Sequence, residues 1–444
     1  MTNSSEYINN ERREYSLYVL QQRAIPYAAD GLKAGARRIL WTARNGKTWK
    51  SASLAGATVP IHPHALAESS INSLAGDFNN NIPLLDGEGG FGTLLNPTAY
   101  AAPRYTSVTV SQFTKDVMFK DIDIIPHQEN YDGSLTEPVH FLPLIPMALL
   151  NPQEGIAVGF ACSILPRSLD TIVKSQLQHL AGKKITKTYP AFTLTDNYSS
   201  SHTEDKNGKI KWTFTGKYEK VNATTIRVTN LPYGLTHAKY IVKIAKLEDS
   251  GVVVDVVDNS KKTYDIQIKF KKGILRGKSE DEIISLLGLQ MHVSENLNLI
   301  NFDGNRVLST TYEELIKEFT DWRLGWYLQR YQRLADLLAF DIQRYKDILL
   351  AIKHKTGAKV SSFKTKSELK DFLTSIKVVY VDFIAELPVY RFTVEERKKT
   401  EAKLKDANTL MDHYVELLSS DEARKEVFVS ELKQIATNNK KGMY

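Results

Sequence analysis

The sequence predicts a multidomain α+β protein, and three observations carry that prediction. The N-terminal region alternates short helical stretches with tight turns and then enters a strand. The middle interleaves period-two apolar runs with one amphipathic helical stretch. The final third repeats apolar residues at three- and four-residue steps along two long segments. A chain of 444 residues is long enough to bury two to four separate cores.

Taken in order, residues 14–22 and 31–44 read as helices, divided by Pro26 and by the turn pair Asp30-Gly31. "IHPHALAESSINSLAGDF" reads as a third helix beginning just after Pro63. A strand follows Tyr105, with Val108 and Val110 on one face. Short helices closing onto a strand predict a winged-helix variant of the helix-turn-helix. Residues 139–166 are apolar and interrupted by prolines. "KWTFTGKYEKVNATTIRVTNLPYG" and "TYDIQIKF" alternate as strands do, and "HAKYIVKIAKLEDSG" between them reads as one helix. These make an α+β insert over 146–310. Leu334, Leu338, Tyr345, Ile348 and Ile352 form one heptad-like series, and Leu404, Ala407, Met411, Tyr414 and Leu418 a second. Between them, the segment 356–392 has apolar residues of its own (Val378, Val379, Tyr380, Phe383, Ile384). Two helices of similar length about such a segment predict a long antiparallel coiled-coil hairpin with a small globular tip, with a helical-bundle core as the alternative.

Composition narrows the function classes. Hydrophobic content of 42% and charged content of 25% are those of a soluble globular chain. The expectation is a cytoplasmic protein: the N-terminus is polar, and no apolar run is long enough to span a membrane. The single cysteine, Cys162, excludes an intramolecular disulfide and a cysteine-cluster metal site. It lies in the apolar run "GIAVGFACSIL" and reads as a buried, inert thiol. The net charge of +7 is unevenly spread. From Arg23 to Lys50 there are seven basic residues (Arg23, Lys33, Arg37, Arg38, Arg44, Lys47, Lys50) against one acid, Asp30. Such clustering suits either a solvated helix face or a surface that meets a polyanionic backbone.

Several short motifs need weighing. "GEGGFG" at 87–92 satisfies G-x-G-x-x-G, but a strand-like segment and Pro97 follow it where a dinucleotide site needs a helix. "NGKT" at 45–48 lacks the first glycine of a phosphate loop, since Trp41 stands at that position. "DID" could set Asp121 and Asp123 on one side of a strand as metal ligands, although nothing nearby supplies a third. "HPH" at 62–64 lacks the further ligands of a zinc site, and its imidazoles suit phosphate better. "APRYT" places Arg104 beside Tyr105. A phenol has a pKa of about 10 and is a weak nucleophile at neutral pH, but an adjacent guanidinium favours the phenolate and stabilises charge on a reacting phosphate.

The ordered set "RAIP…DGLKAGARRIL", "HPH", "PLLDGEGGFGT", "APRYT", "NYDGS" and "GIAVG" resembles the breakage–reunion subunit of type IIA DNA topoisomerases. The resemblance runs on through "VTNLPYG" to "LPVYRFTVEERKKTEAKL" and "LLSSDEARKEVFVSELKQI", and so covers nearly the whole chain. Within the family, "NNNIPLLDGEGGFG" looks most like the phage type. The resemblance implies that Tyr105 is the nucleophile that becomes linked to a DNA 5′ phosphate, with Arg104 assisting. Arg23 and His64 would lie close to that phosphate, while Lys33, Arg37, Arg38 and His62 would sit in DNA-contacting helices. Ile156 would wedge between base pairs and bend the duplex. His64 is the general-base or phosphate-binding candidate, with those two roles left open.

The resemblance also implies an organisation. Residues 1–22 would form an N-terminal arm, 23–145 the winged-helix DNA gate, and 146–310 the tower. Residues 311–355 and 393–444 would be coiled-coil arms carrying an exit-gate tip at 356–392. A homodimer would bind double-stranded DNA and associate with an ATPase- and TOPRIM-bearing large subunit. That partner would supply both ATP and Mg²⁺. Two positions depart from the family pattern, Ala34 for a proline and Ala65 for a glycine. The chain ends at Tyr444 without the DNA-wrapping domain of the gyrase A subunit, so relaxation and decatenation are expected instead of supercoiling. Three alternatives remain open: a gyrase-like subunit whose wrapping domain is supplied elsewhere, a non-catalytic DNA-bending clamp, and a metal nuclease built on Asp121 and Asp123.

Overall fold

A computed structural model describes residues 8–63, 67–192, 199–204 and 210–444. The chain divides into two compact units, Met1–Arg323 with Glu431–Tyr444, and Leu324–Ser430. It is a mixed α/β structure in which many helices accompany small antiparallel sheets.

In the first unit three short helices, Ala34–Ala43, Ser51–Thr58 and Ala67–Ala75, pack together. Ile39, Leu40, Leu54 and Ile71 lie fully buried among them. The first of these helices starts three residues later than its sequence pattern suggests, because Gly31 turns the chain with φ +66°. A Cβ at that glycine would lie 2.2 Å from the Ala148 amide nitrogen, so only glycine fits the turn. Strands β1 (Trp49–Lys50), β2 (Leu85–Glu88) and β3 (Ser107–Val110) form a sheet in the order β1-β3-β2. Two hairpins follow, β4 (His127–Glu129) with β5 (Thr136–Pro138), and β6 (Gln153–Ala157) with β7 (Phe160–Ile164). The second of these comes from the proline-punctuated apolar run.

The middle of the chain forms sheets where the sequence alternates. β8 (Ser199–Glu204), β9 (Ile210–Thr215), β10 (Lys217–Lys220), β11 (Thr225–Asn230), β12 (Val253–Asp258), β13 (Ile266–Phe270) and β14 (Gln290–Ser294) make two of them. Their orders are β10-β11-β13-β12 and β14-β9-β8. Ile226, Val228, Ile266, Ile268 and Phe270 bury one face of the four-stranded sheet with Tyr240 and Ile244 of the helix His237–Asp249. The Tyr240 hydroxyl is buried there without a hydrogen-bond partner among the described residues, and desolvation raises its pKa. Tyr240→Phe should therefore stabilise the protein by about 1 kcal/mol, seen as a higher midpoint in chemical denaturation, because it removes an unsatisfied group and keeps the ring.

Among the buried ion pairs that join distant segments of this unit are those of Arg167 and Arg323. Arg167 meets Glu295 at 2.9 Å, and Trp212 Nε1 donates to the same carboxylate at 2.8 Å. Arg323 donates to Asp121 and to the Pro143 carbonyl. Asp121 is thus not on a strand beside Asp123. It precedes a single 3-10 turn, Ile122–Ile124, with its carboxylate committed to a guanidinium, while Asp123 faces solvent. That arrangement removes the ligand pair on which the metal-nuclease reading depended.

In the second unit, Ile348, Ala351, Leu373, Val378 and Ile384 form a small core. The helix Tyr312–Lys353 is one continuous 42-residue element. The later heptad segment is two helices, Val394–Ser419 and Asp421–Lys440, broken at Ser420. Ser420 is extended, and its hydroxyl accepts from the Ala423 amide, which caps the second helix, while Arg424 Nη1 donates to the Leu418 carbonyl at the end of the first. A serine cap read as part of an unbroken heptad run hides this stop. Tyr331 and Tyr414 approach to 5.7 Å between ring centroids, and Tyr327 and Phe428 to 5.1 Å. No helix among the described residues is long and apolar enough to cross a membrane.

Candidate active site

Tyr105 closes a turn that begins at Pro103, and its amide donates to the Ala102 carbonyl at 2.9 Å. The side chain is 68% exposed. The Arg104 guanidinium lies over the phenol ring, 4.7 Å from its centroid. The next residue anchors the turn. Thr106 is fully buried, and its hydroxyl donates to Ser51 Oγ at 2.7 Å. The first two amides of the helix Ser51–Thr58 donate to the turn itself, Ser51 to the Thr106 carbonyl and Ala52 to the Pro103 carbonyl. The phenol is therefore held out to solvent by a backbone fixed on two sides.

A second group of candidates gathers around the helix Ala34–Ala43. Arg23 is exposed at the end of the helical turn Leu20–Ala24. Lys33 Nζ donates to the Glu154 carbonyl of β6 at 2.6 Å. Burial pulls the Lys33 pKa below the usual lysine value, with Cys162 and Glu154 opposing that shift. Gly155 packs β6 against the same turn, since a Cβ there would come 1.9 Å from the Ala24 carbonyl oxygen. At the tip of the β6–β7 hairpin, Ile156 is 86% exposed. Val158 and Phe160 are exposed beside it, which the family motif alone did not single out.

Arg37 and Arg38 face inward. Arg37 forms a bidentate pair with fully buried Asp30, Nε to Oδ2 at 2.6 Å and Nη2 to Oδ1 at 3.0 Å. Arg38 donates to Glu137 Oε1 at 3.0 Å and to Gln22 Oε1 at 2.7 Å. His62 is also buried. Its Nε2 sits 3.0 Å from the Tyr18 hydroxyl, and its ring meets Tyr131 edge-on at 5.8 Å. Tyr131 belongs to "NYDGS", a turn tied to the segment before His62 by Asn130 Nδ2 donating to the Pro60 carbonyl. Basic and imidazole residues in one stretch of sequence thus divide by burial into exposed Arg23 and half-buried Lys33 on one side, and inward Arg37, Arg38 and His62 on the other. His64 and Ala65 lie outside the described residues.

Arg23, Lys33, Arg38 and His62 line one cleft of about 870 Å³. Tyr105, Arg104 and Ile156 are outside its lining. Cys162, on β7 behind Lys33, has its pKa pushed up to about 12 by burial. It should resist thiol reagents at pH 8 in the native protein and react on unfolding. The unfolded thiol ionises near 9.0, below the folded value of about 12. Cys162 therefore costs stability progressively as pH rises through that window. Among the described residues no group of three or more His, Cys, Asp or Glu side chains could hold a metal ion.

The sequence pattern of the DNA gyrase/topoisomerase IV A-subunit family matches residues 23–433, which include the Tyr105 turn, nearly all of the cleft lining and most of both long helical segments. The chain belongs to that family. As a member it is a type II DNA topoisomerase subunit, in agreement with the sequence motifs. It is 32% identical over 423 residues to the DNA topoisomerase medium subunit of Enterobacteria phage T4, covering 90% of this chain and 92% of that one. It is 29% identical over 294 residues to the DNA topoisomerase 4 A subunit of Borreliella burgdorferi, covering 65% of this chain and 46% of the relative. Against the DNA gyrase A subunit of Lawsonia intracellularis it is 26% identical over 445 residues, covering 91% and 53%. The chain thus spans about half the length of these two bacterial relatives and nearly all of the phage one.

Proposed function

We propose that this type II topoisomerase chain is the subunit that cuts and rejoins DNA, with Tyr105 as the nucleophile. The observation that carries the reading is the exposed Tyr105 hydroxyl on a turn pinned by Thr106, Ser51 and Ala52, with Arg104 over its ring. The Tyr105 oxygen attacks a backbone phosphorus, the bond from phosphorus to the 3′ oxygen breaks, and the DNA 5′ end remains on the tyrosine. A phosphotyrosyl link resembles the phosphodiester it replaces in free energy, so attack by the 3′ hydroxyl reseals the strand without added energy. Arg104 stabilises charge on the phosphate. Arg23 and His64 act close to that phosphate, His64 in proton transfer or phosphate binding.

Lys33 and Ile156 meet the duplex from the same side, Lys33 at the backbone and Ile156 between base pairs. Three exposed apolar residues at the tip of a β-hairpin support a wedge that unstacks one base step and bends the duplex. Arg37, Arg38 and His62 serve that surface from beneath, through Asp30, Glu137 and Tyr18. ATP and Mg²⁺ enter with an ATPase- and TOPRIM-bearing large subunit, where the metal supplies charge stabilisation at the reacting phosphate.

In this reading residues 23–145 are the winged-helix gate and 146–310 the tower. Residues 1–22 form the arm that precedes the gate. Arms 311–355 and 393–444 form a coiled-coil hairpin with an exit gate at 356–392. Two copies cut one strand each, and exposed Val379, Val389 and Tyr390 support a second contact between copies at the tip. In this reading the complex relaxes and decatenates DNA. The test mixes the chain with its candidate partner subunit, Mg²⁺ and supercoiled plasmid, followed by denaturant and protease. Linear DNA with protein on its 5′ ends, lost in Tyr105→Phe, is the expected result. Cleavage that survives in Tyr105→Phe overturns the assignment.

A further inference from the structure

We propose that Lys50 anchors the DNA phosphate next to the scissile one and thereby aligns the scissile phosphate with Tyr105; this rests on the reading of Tyr105 as nucleophile. The argument starts from strand register. Lys50 on β1 and Glu88 on β2 both pair with Ser107 of the central strand β3. A cation, a hydroxyl and a carboxylate therefore form one row across the sheet. Alternation along β3 fixes the face. Directly paired residues share one face of a sheet, so Lys50, Ser107 and Glu88 lie on the side opposite buried Val108 and Val110; Ser107 is itself buried at 8% exposure, while Lys50 and Glu88 are exposed. Lys50 sits one strand spacing, about 4.8 Å, from Ser107, and Ser107 is at most about 7 Å along the chain from Tyr105.

The backbone couples the two residues. Ser51 and Ala52, directly after Lys50, donate to the carbonyls of Thr106 and Pro103 on either side of Tyr105. Any movement of the turn therefore carries Lys50 with it. Nearby cations are engaged differently. Arg44 lies over Trp41 and Lys47 over Trp49, each at 3.7 Å. Lys50 is exposed and makes no side-chain hydrogen bond or ion pair with a described residue, and the same holds for Glu88. Lys50 can thus bind an anion without first breaking a protein contact. Glu88, across Ser107, repels a phosphate from its own side and confines the backbone to the Lys50 side.

An ammonium is a compact point charge suited to one phosphate. Fixing a neighbouring phosphate restricts the scissile one, and a misplacement of about 1 Å there costs roughly 10²-fold in rate. The experiment uses the assembled complex of this chain, its partner subunit, Mg²⁺ and a duplex that carries one mapped cleavage site. Single-turnover formation of the covalent adduct is measured for wild type, Lys50→Met, Lys50→Arg, Glu88→Gln and Tyr105→Phe.

Lys50→Met should slow adduct formation about 10- to 100-fold with an unchanged melting temperature, and Lys50→Arg should recover most of that loss. Neutral methylphosphonates are then placed one at a time along the duplex. At one position flanking the cut, the substitution should slow wild type but add nothing to the Lys50→Met defect. Glu88→Gln should tighten DNA binding, because it removes a like charge that faces the backbone. Wild-type rates in Lys50→Met, or a scan in which no flanking phosphate couples to Lys50, overturn the proposal. If Lys50→Met does not fold, the scan on wild type against Lys50→Arg decides, since a displaced cation must shift the sensitive phosphate or its penalty. Adduct formation by Tyr105→Phe would instead overturn the nucleophile assignment.

Discussion

Tyr105→Phe should abolish the covalent protein–DNA adduct, lowering strand cleavage by roughly 10⁴-fold or more while leaving the fold and non-covalent DNA binding intact. The substitution removes one oxygen atom from a side chain that is 68% exposed. The turn that carries it is held by backbone atoms and by Thr106, none of which change. Stability should therefore move by no more than about 0.5 kcal/mol. The Arg104 contact to the ring face also survives, because phenylalanine keeps the ring. Loss of cleavage with a preserved melting temperature and preserved affinity in a filter-binding assay would isolate the hydroxyl as the missing chemistry. A non-catalytic DNA-bending clamp would show no adduct in wild type either, so the same experiment separates that alternative.

Arg37→Met should destabilise the protein by about 3–5 kcal/mol, the range for breaking a buried ion pair by removing one partner. Asp30 is fully buried and also accepts from the amides of Leu32 and Phe141. Without the guanidinium its carboxylate stays in the interior facing two dipoles and no cation. Chemical denaturation reads the loss directly. The salt dependence of DNA affinity, measured at a temperature where the variant remains folded, should keep its slope. A phosphate-contacting arginine would reduce that slope by about one. A stable Arg37→Met protein with a shallower slope would show that this guanidinium leaves Asp30 to bind DNA.

These two residues mark the range of what the sequence made legible. Tyr105 could be picked out because its signal is local: Pro103, Arg104 and an alternating run follow one another, and the motifs around it come in a characteristic order. The strand after Tyr105, the helix His237–Asp249 and the strands β9, β11 and β13 were legible for the same reason, since period and turn residues act over a few positions. The break at Ser420 was missed because a capping serine differs little in sequence from a polar heptad position.

The ion pairs of Arg37, Arg38 and Asp121 were not legible at all. In sequence they are a basic helix and an acidic pair, equally suited to solvent, DNA or metal. Arg38 finds Glu137 across 99 residues, and Asp121 finds Arg323 across 202. No local pattern records which distant charge will be desolvated beside which. By itself the sequence determined the family, the mixed succession of its more regular helices and strands and the place of the candidate nucleophilic turn, because these rest on spacing and order along the chain. The tertiary structure alone decided which cations point outward, which are locked in ion pairs, and that Lys50 and Glu88 flank Ser107, two residues from Tyr105. Burial and strand register arise only when segments far apart in sequence share one core.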